Sequence, residues 1–360
     1  MSLLLSQGLF GTAKMHTFYD PRHIYHDPAQ LQQVTFLPVA WQYREIAQRS
    51  LVIHDAVKTT QLGPITPPGD FGIEPIAELH THNMLTILQN AYQQMQQEVG
   101  KAVPIIPHTF PVNTTPSHKP YAIQGQLGLV CYDTFSPIFE HTWQAAYWSA
   151  QTAVSAAALV LAGSEQYAYA LCRPPGHHAS YDKFGGGCYL NNAAIAANWL
   201  AQQGQRVAIL DIDYFHGNGT QAIFYGRSDV LFCSIHADPL TTYPYYWGFA
   251  DEFGTGAGQN YNFNFPLPKQ ANEFQYMAAF DEALFKIRQF VPDTLLISFG
   301  TDFITSSYPE PAKMPPSALG RLGAKIAAFD LPTIIVQEGG YDVTHLGEFV
   351  VDFLNGICGG

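Results

Sequence analysis

The sequence predicts an α/β fold in which a mostly parallel central sheet carries helices on both faces. Three observations support this. From Thr142 onward, stretches with helical apolar spacing alternate with short apolar runs, the pattern of strands joined by crossover helices. Val207 to Ile212 is apolar enough to be a fully buried strand, and it ends in polar chemistry, Asp211, Asp213 and His216. Hydrophobic residues make up 47% of the 360 residues and charged residues only 13%, so much of the chain is inside. With no internal repeat, low-complexity tract or linker, residues 15–360 are expected to form a single domain. Residues 1–14 read as an N-terminal extension or an expression remnant.

His16 to Tyr19 is the first expected strand. The loop after Asp20, PRHIYHDP, is bounded by prolines, and its His23 and His26 read as solvated. Trp41 to Ser50 and Asn83 to Val99 have helical spacing. Lys101 to Gly128 is proline-rich and too irregular for a plain connection, as a rim or subunit contact would be. The alternation then runs as helix Trp143 to Ala162, strand Tyr167 to Cys172, helix Asn191 to Gln203, strand Val207 to Ile212 and strand Val230 to Ile235. It closes with helix Ala271 to Phe290, strand Thr294 to Phe299, helix Pro316 to Phe329, strand Thr333 to Gln337 and helix Leu346 to Asn355.

Charge and cysteine usage narrow the function. Lys+Arg 17 against Asp+Glu 29 gives net −12, which argues against nucleic-acid binding and suits a cationic ligand. Five scattered cysteines fit neither a disulfide framework nor a paired zinc site, so they read as reduced, packed thiols. No run is long and apolar enough to span a bilayer and no secretory leader is evident, so a cytoplasmic protein is expected.

Four strands are each followed at once by a chemical cluster. RPPGHHAS carries His177 and His178, DYFHGNGT follows the Asp211 strand, GTDF carries Asp302 and EGGYD carries Tyr341. Parallel strands point the same way, so the four clusters share one sheet edge and can converge. Taken singly, a strand-end aspartate more often caps a helix or bonds loop amides, and a histidine pair is more often surface. Four clusters in phase favour a site. Asp213 and Asp302 suit a divalent metal such as zinc or iron, the histidines a general base and acid, and Tyr341 an oxyanion donor.

The stretches CRPPGHHA, GGGCYLNNAAIAA, VAILDIDYFHGNGTQAIFY, SIHADPLTTYPYYWGFADEFGTGAG, LLISFGTDF and VQEGGY resemble the zinc-dependent histone deacetylase superfamily, above all its bacterial acetylpolyamine amidohydrolase-like branch. The resemblance runs from about Gly128 to the end. It implies an arginase/deacetylase-like three-layer fold and a deacetylase that removes an acyl group from an acetylpolyamine or acetyl-lysine. In that family's scheme Zn2+ sits on Asp213 and Asp302, His177 and His178 are the acid/base pair, and Tyr341 is the oxyanion donor. A structural K+ would sit at Asp211, Asp213, Phe215, Ser234 and Ile235. The partner is then a small cationic N-acylated amine, and the Val103 to Pro120 stretch narrows the entrance and mediates a homodimer.

The chain departs from the family at the metal. Phe215 stands where the family has its histidine ligand, and a phenyl ring has no lone pair, so zinc affinity should fall by orders of magnitude unless His216 or water substitutes. His216 matches the second histidine usual there and is expected to point elsewhere. Gly187 stands where the family generally has an aromatic lining the acyl channel, and Tyr243 resembles the facing aromatic. After Asp302, FITSSYPEP replaces the usual acidic turn. The rival reading is a catalytically impaired pseudoenzyme that binds a ligand or partner, with Phe215 either a natural loss or a change introduced into an active parent. A binuclear, arginase-like hydrolase is disfavoured because there are too few His and Asp ligands.

Overall fold

The computed structural model describes residues 15–31, 43–112, 118–304 and 314–359, so the expectation for residues 1–14 lies outside the described residues. Among the described residues eight strands form one sheet: β1 (Met15–Phe18), β2 (Ile65–Thr66), β3 (Tyr167–Ala170), β4 (Val207–Asp211), β5 (Val230–Ala237), β6 (Asn262–Leu267), β7 (Thr294–Phe299) and β8 (Thr333–Gln337). Their order is β2-β1-β3-β8-β7-β4-β5-β6, and every pairing is parallel.

Helices cover both faces because successive strand residues point to opposite sides. Ala168, Ala170 and Ile209 pack with the helices Thr142–Leu161, Asn192–Gln202 and His82–Val99. Tyr169, Ala208 and Leu210 pack instead with Gln48–Thr60, Glu273–Phe290, Ala318–Ala327 and Leu346–Cys358. The alanine run of Thr142–Leu161 serves this layering: Ala146, Ala150, Ala153 and Ala157 lie at helical steps and are buried, so the helix packs with little side-chain bulk. No helix among the described residues is long and apolar enough to cross a membrane. The cysteines are all free, four of them buried.

Two expectations need correction. The helix expected over Trp41 to Ser50 begins only at Gln48, and within the described part Tyr43 to Ile46 is irregular. Tertiary bonds outcompete the helix here. Tyr43 donates its hydroxyl to the Thr134 carbonyl, the Ala47 amide donates to Asp27, and Glu45 is drawn into a buried charge cluster. His23 and His26, expected in solvent, are buried at 3% and 1% exposure. Ser50 bonds the His23 ring and Thr142 bonds His26 Nδ1, while burial, followed by the Arg173 charge, depresses both rings, His23 to about 3. Sequence gave no sign of either long-range partner.

Candidate active site

Strands β3, β8, β7 and β4 are neighbours, and the four clusters that follow them meet at one sheet edge. A cavity of about 100 Å3 opens there. His177, His178, Asp213, Phe215, Gly339 and Tyr341 are among the residues that line it.

The histidine loop is fixed from every side. His177 Nδ1 lies 3.0 Å from Asp211 Oδ2, and its Nε2 is 4.0 Å from Asp213 Oδ1. Burial opposes charge on this ring, but Asp211 and then Asp213 outweigh it and push its pKa up to about 10. His178 packs on His177 with ring centroids 4.0 Å apart and bonds Asn218 Oδ1 through Nδ1 at 2.7 Å. Burial and the neighbouring His177 hold it well below the ordinary histidine value. The two rings therefore sit in unlike surroundings, His177 between two aspartates and His178 against a side-chain amide.

Glu338, which sequence reasoning passed over, ties two clusters together. Its Oε2 accepts the Gly176 and His177 amides at 2.7 and 3.1 Å, and its Oε1 accepts from Ser298 at 3.3 Å. Burial pushes it up to about 7. A lone acidic residue at the end of an apolar strand was the available signal. His177, Cys188 and Glu338 also bring ligand atoms within 4.8 Å of one another. Glu338 and His177 Nδ1 also have protein partners, so the group braces the loop through hydrogen bonds.

The two aspartates face each other across a glycine. A Cβ on Gly339 would stand 2.5 Å from Asp213 Oδ2 and 2.6 Å from Asp302 Oδ2. Asp213 accepts the Phe215 and Gly339 amides, whereas both Asp302 oxygens are buried without a hydrogen-bond partner. Burial and then the Asp213 charge drive Asp302 well above the usual carboxylate range. A cation between the carboxylates would remove both penalties, so this half of the seat fits a divalent metal. The other half does not. Phe215 is buried and lines the cavity, its ring 6.3 Å from His178 and 6.1 Å from Tyr243. His216 turns away into a buried network, with Nε2 3.1 Å from Gln221 Oε1 and its ring against His236 at 4.5 Å. The residues present do not complete a three-ligand zinc site.

The remaining candidates divide. Asp211 and Ser234 are register partners on β4 and β5, with Ile235 next in line, so the expected potassium residues are neighbours. Gly187 and Tyr243 both line the cavity. The Tyr243 hydroxyl donates to Asp133 Oδ2 at 2.7 Å, which fixes the aromatic wall. Tyr341 lies under the Arg49 guanidinium, 4.6 Å from its ring centre, and burial and then Asp302 hold its hydroxyl protonated.

A fully parallel sheet with paired histidines, paired aspartates and a tyrosine along one edge defines a deacetylase-type hydrolase scaffold. The chain belongs to the histone deacetylase domain family, whose model matches residues 43–357. It is 43% identical over 318 residues to acetylpolyamine amidohydrolase 1 of Pseudomonas aeruginosa, covering 88% of this chain and 91% of that one. It is 44% identical over 297 residues to the acetylpolyamine amidohydrolase of Burkholderia pseudomallei, covering 82% and 85%. A crystal structure of acetylpolyamine aminohydrolase from Burkholderia pseudomallei superposes with a TM-score of 0.85 at 38% identity, covering 96% of this chain and 98% of that one.

Proposed function

We propose that this chain is an amidohydrolase-type protein for small N-acylated cationic amines, acetylpolyamines foremost, whose hydrolytic step is throttled at the metal by Phe215. The observation that carries this reading is a phenyl ring in the cavity beside Asp213 and the partnerless Asp302, with His216 engaged elsewhere. The 40–44% identical relatives named as acetylpolyamine amidohydrolases support the ligand class, as does the net charge of −12.

Zinc bound at Asp213 and Asp302 would supply an activated water, and with one nitrogen ligand lost it is held weakly. The residues that act on the ligand are intact. Tyr341 donates a hydrogen bond to the acyl carbonyl, neutral His178 accepts a proton, and cationic His177 stands ready to give one to the amine. Potassium at Asp211, Asp213, Phe215, Ser234 and Ile235 belongs to the same reading, as do acetyl-lysine as a poorer alternative and a homodimer.

The test is metal content and turnover in parallel. Protein grown with ample zinc should carry much less than one zinc per chain and bind N-acetylputrescine while hydrolysing it poorly. Stoichiometric zinc together with turnover matching the Phe215→His variant overturns the throttled reading. Failure to bind N-acetylputrescine overturns the ligand class.

A further inference from the structure

Behind the cavity wall lies a phenol, Tyr132, that touches both the histidine loop and the aromatic Tyr243. Its hydroxyl donates to the His178 carbonyl at 2.9 Å. The same oxygen lies 3.1 Å from the Tyr243 hydroxyl and accepts the Asn218 side-chain amide at 3.4 Å. The ring is clamped in place: a Cβ on Gly185 would stand 2.4 to 2.8 Å from three of its carbons. Gly186 closes on the other two partners. It has φ +62°, and a Cβ there would meet His178 Cδ2 at 2.5 Å and the Tyr243 hydroxyl at 2.9 Å.

The direction of each bond follows from counting protons. Tyr243 has one hydroxyl proton, and its shortest bond is to Asp133 Oδ2 at 2.7 Å. Tyr132 has one, and the His178 carbonyl is its nearest acceptor. Toward Asn218 the Tyr132 oxygen is then an acceptor, so Asn218 turns its NH2 group to that side. This leaves Asn218 Oδ1 facing His178 Nδ1 at 2.7 Å, and Nδ1 carries the ring proton. A flipped Asn218 would set two oxygens against each other at Tyr132, or take from the His178 carbonyl its Tyr132 donor.

We propose that Tyr132 is a positioning residue: its hydroxyl orients the Asn218 amide and, through it, fixes the His178 tautomer with Nδ1 protonated and Nε2 free to take a proton. A phenol that only fills space would leave the tautomer to His178 and Asn218 alone. The inference deepens the function proposed above, in which His178 accepts a proton, and takes its catalytic meaning from that reading.

Imidazole nitrogen NMR of the histidine-labelled full chain, at alkaline pH and without ligand, reads the tautomer directly. The His178 signals are identified by their loss in His178→Gln. In the unaltered chain Nδ1 should resonate as the protonated nitrogen and Nε2 as the bare one. Tyr132→Phe keeps the ring and removes only the oxygen, so the tautomer ratio should fall about tenfold, the effect of losing one hydrogen bond, with Nε2 moving toward the protonated position. Adding Asn218→Asp should restore the first pattern, because a carboxylate has no NH2 group to turn toward His178. A bare Nδ1 in the unaltered chain overturns the proposal, as does a Tyr132→Phe spectrum like the unaltered one. A mixture that Asn218→Asp leaves in place also overturns it, since that marks general loosening of the loop. N-acetylputrescine titration is read separately: if the tautomer responds as stated and the amine does not bind, the ligand class falls and the positioning role of Tyr132 stands.

Discussion

The loop after β3 and the loops after β4 and β7 share one pocket but are built to different degrees of completeness. Around His177 and His178 each ring finds a carboxylate or amide, and the backbone is pinned by Glu338. Around Asp213 and Asp302 one carboxylate has no partner and a phenyl ring occupies the third corner. The histidine loop is held by hydrogen bonds to the scaffold, whereas on the function proposed above the metal seat hangs on the side chain at position 215.

Restoring that side chain should erase the contrast, and this is the largest effect expected. Phe215→His should raise zinc affinity and N-acetylputrescine turnover by roughly a hundredfold or more, read by metal analysis and steady-state rates. A second effect tests the complete side. His80 Nδ1 donates to the Ser180 carbonyl at 2.8 Å and Nε2 accepts the Asn191 amide at 3.0 Å, so the ring must stay neutral to brace the histidine loop. Burial depresses it to about 4. Above pH 6.5 both folded and unfolded states are neutral; below it the unfolded chain takes up a proton that the folded one refuses. Stability should fall from pH 6.5 toward 4 by about 3 kcal/mol from this residue. Urea unfolding at several pH values measures the loss, and His80→Gln should flatten that part of the profile.

The incomplete side has its own signature. Asp302→Asn removes a partnerless carboxyl whose ionisation burial and Asp213 oppose, so it should stabilise the metal-free chain by about 1–3 kcal/mol in urea. In the Phe215→His background with zinc the sign should reverse. The smallest change lies outside both loops. Asn272 and Gln275 form a capping box on the Glu273–Phe290 helix, and Asn272→Ala should cost about 1 kcal/mol while leaving zinc content unchanged.

Local pattern and chain order carried the information that sequence could supply. The buried strands after Thr142 and their polar ends were readable, because a parallel sheet forces those ends to one edge; β7 and β8 have the expected bounds. Two-residue β2 has too little pattern to find, and β6 carries a proline and asparagines that mask a strand. The convergence of Asp213, Asp302 and the histidine pair was legible because each follows a parallel strand. The site was illegible where tertiary packing assigns the role. Glu45 binds Arg173 from 128 positions away, and nothing near Glu45 announces that partner. The i, i+4 spacing of Glu45 and Arg49, in a chain with only 13% charged residues, was the one available hint.

Glu338 spans the ends of β8, β7 and β3 with one carboxylate, and it does so using only protein atoms. A keystone of this kind holds the histidine loop in place with no ion of its own, so an ion delivered to the aspartates would find those walls already set.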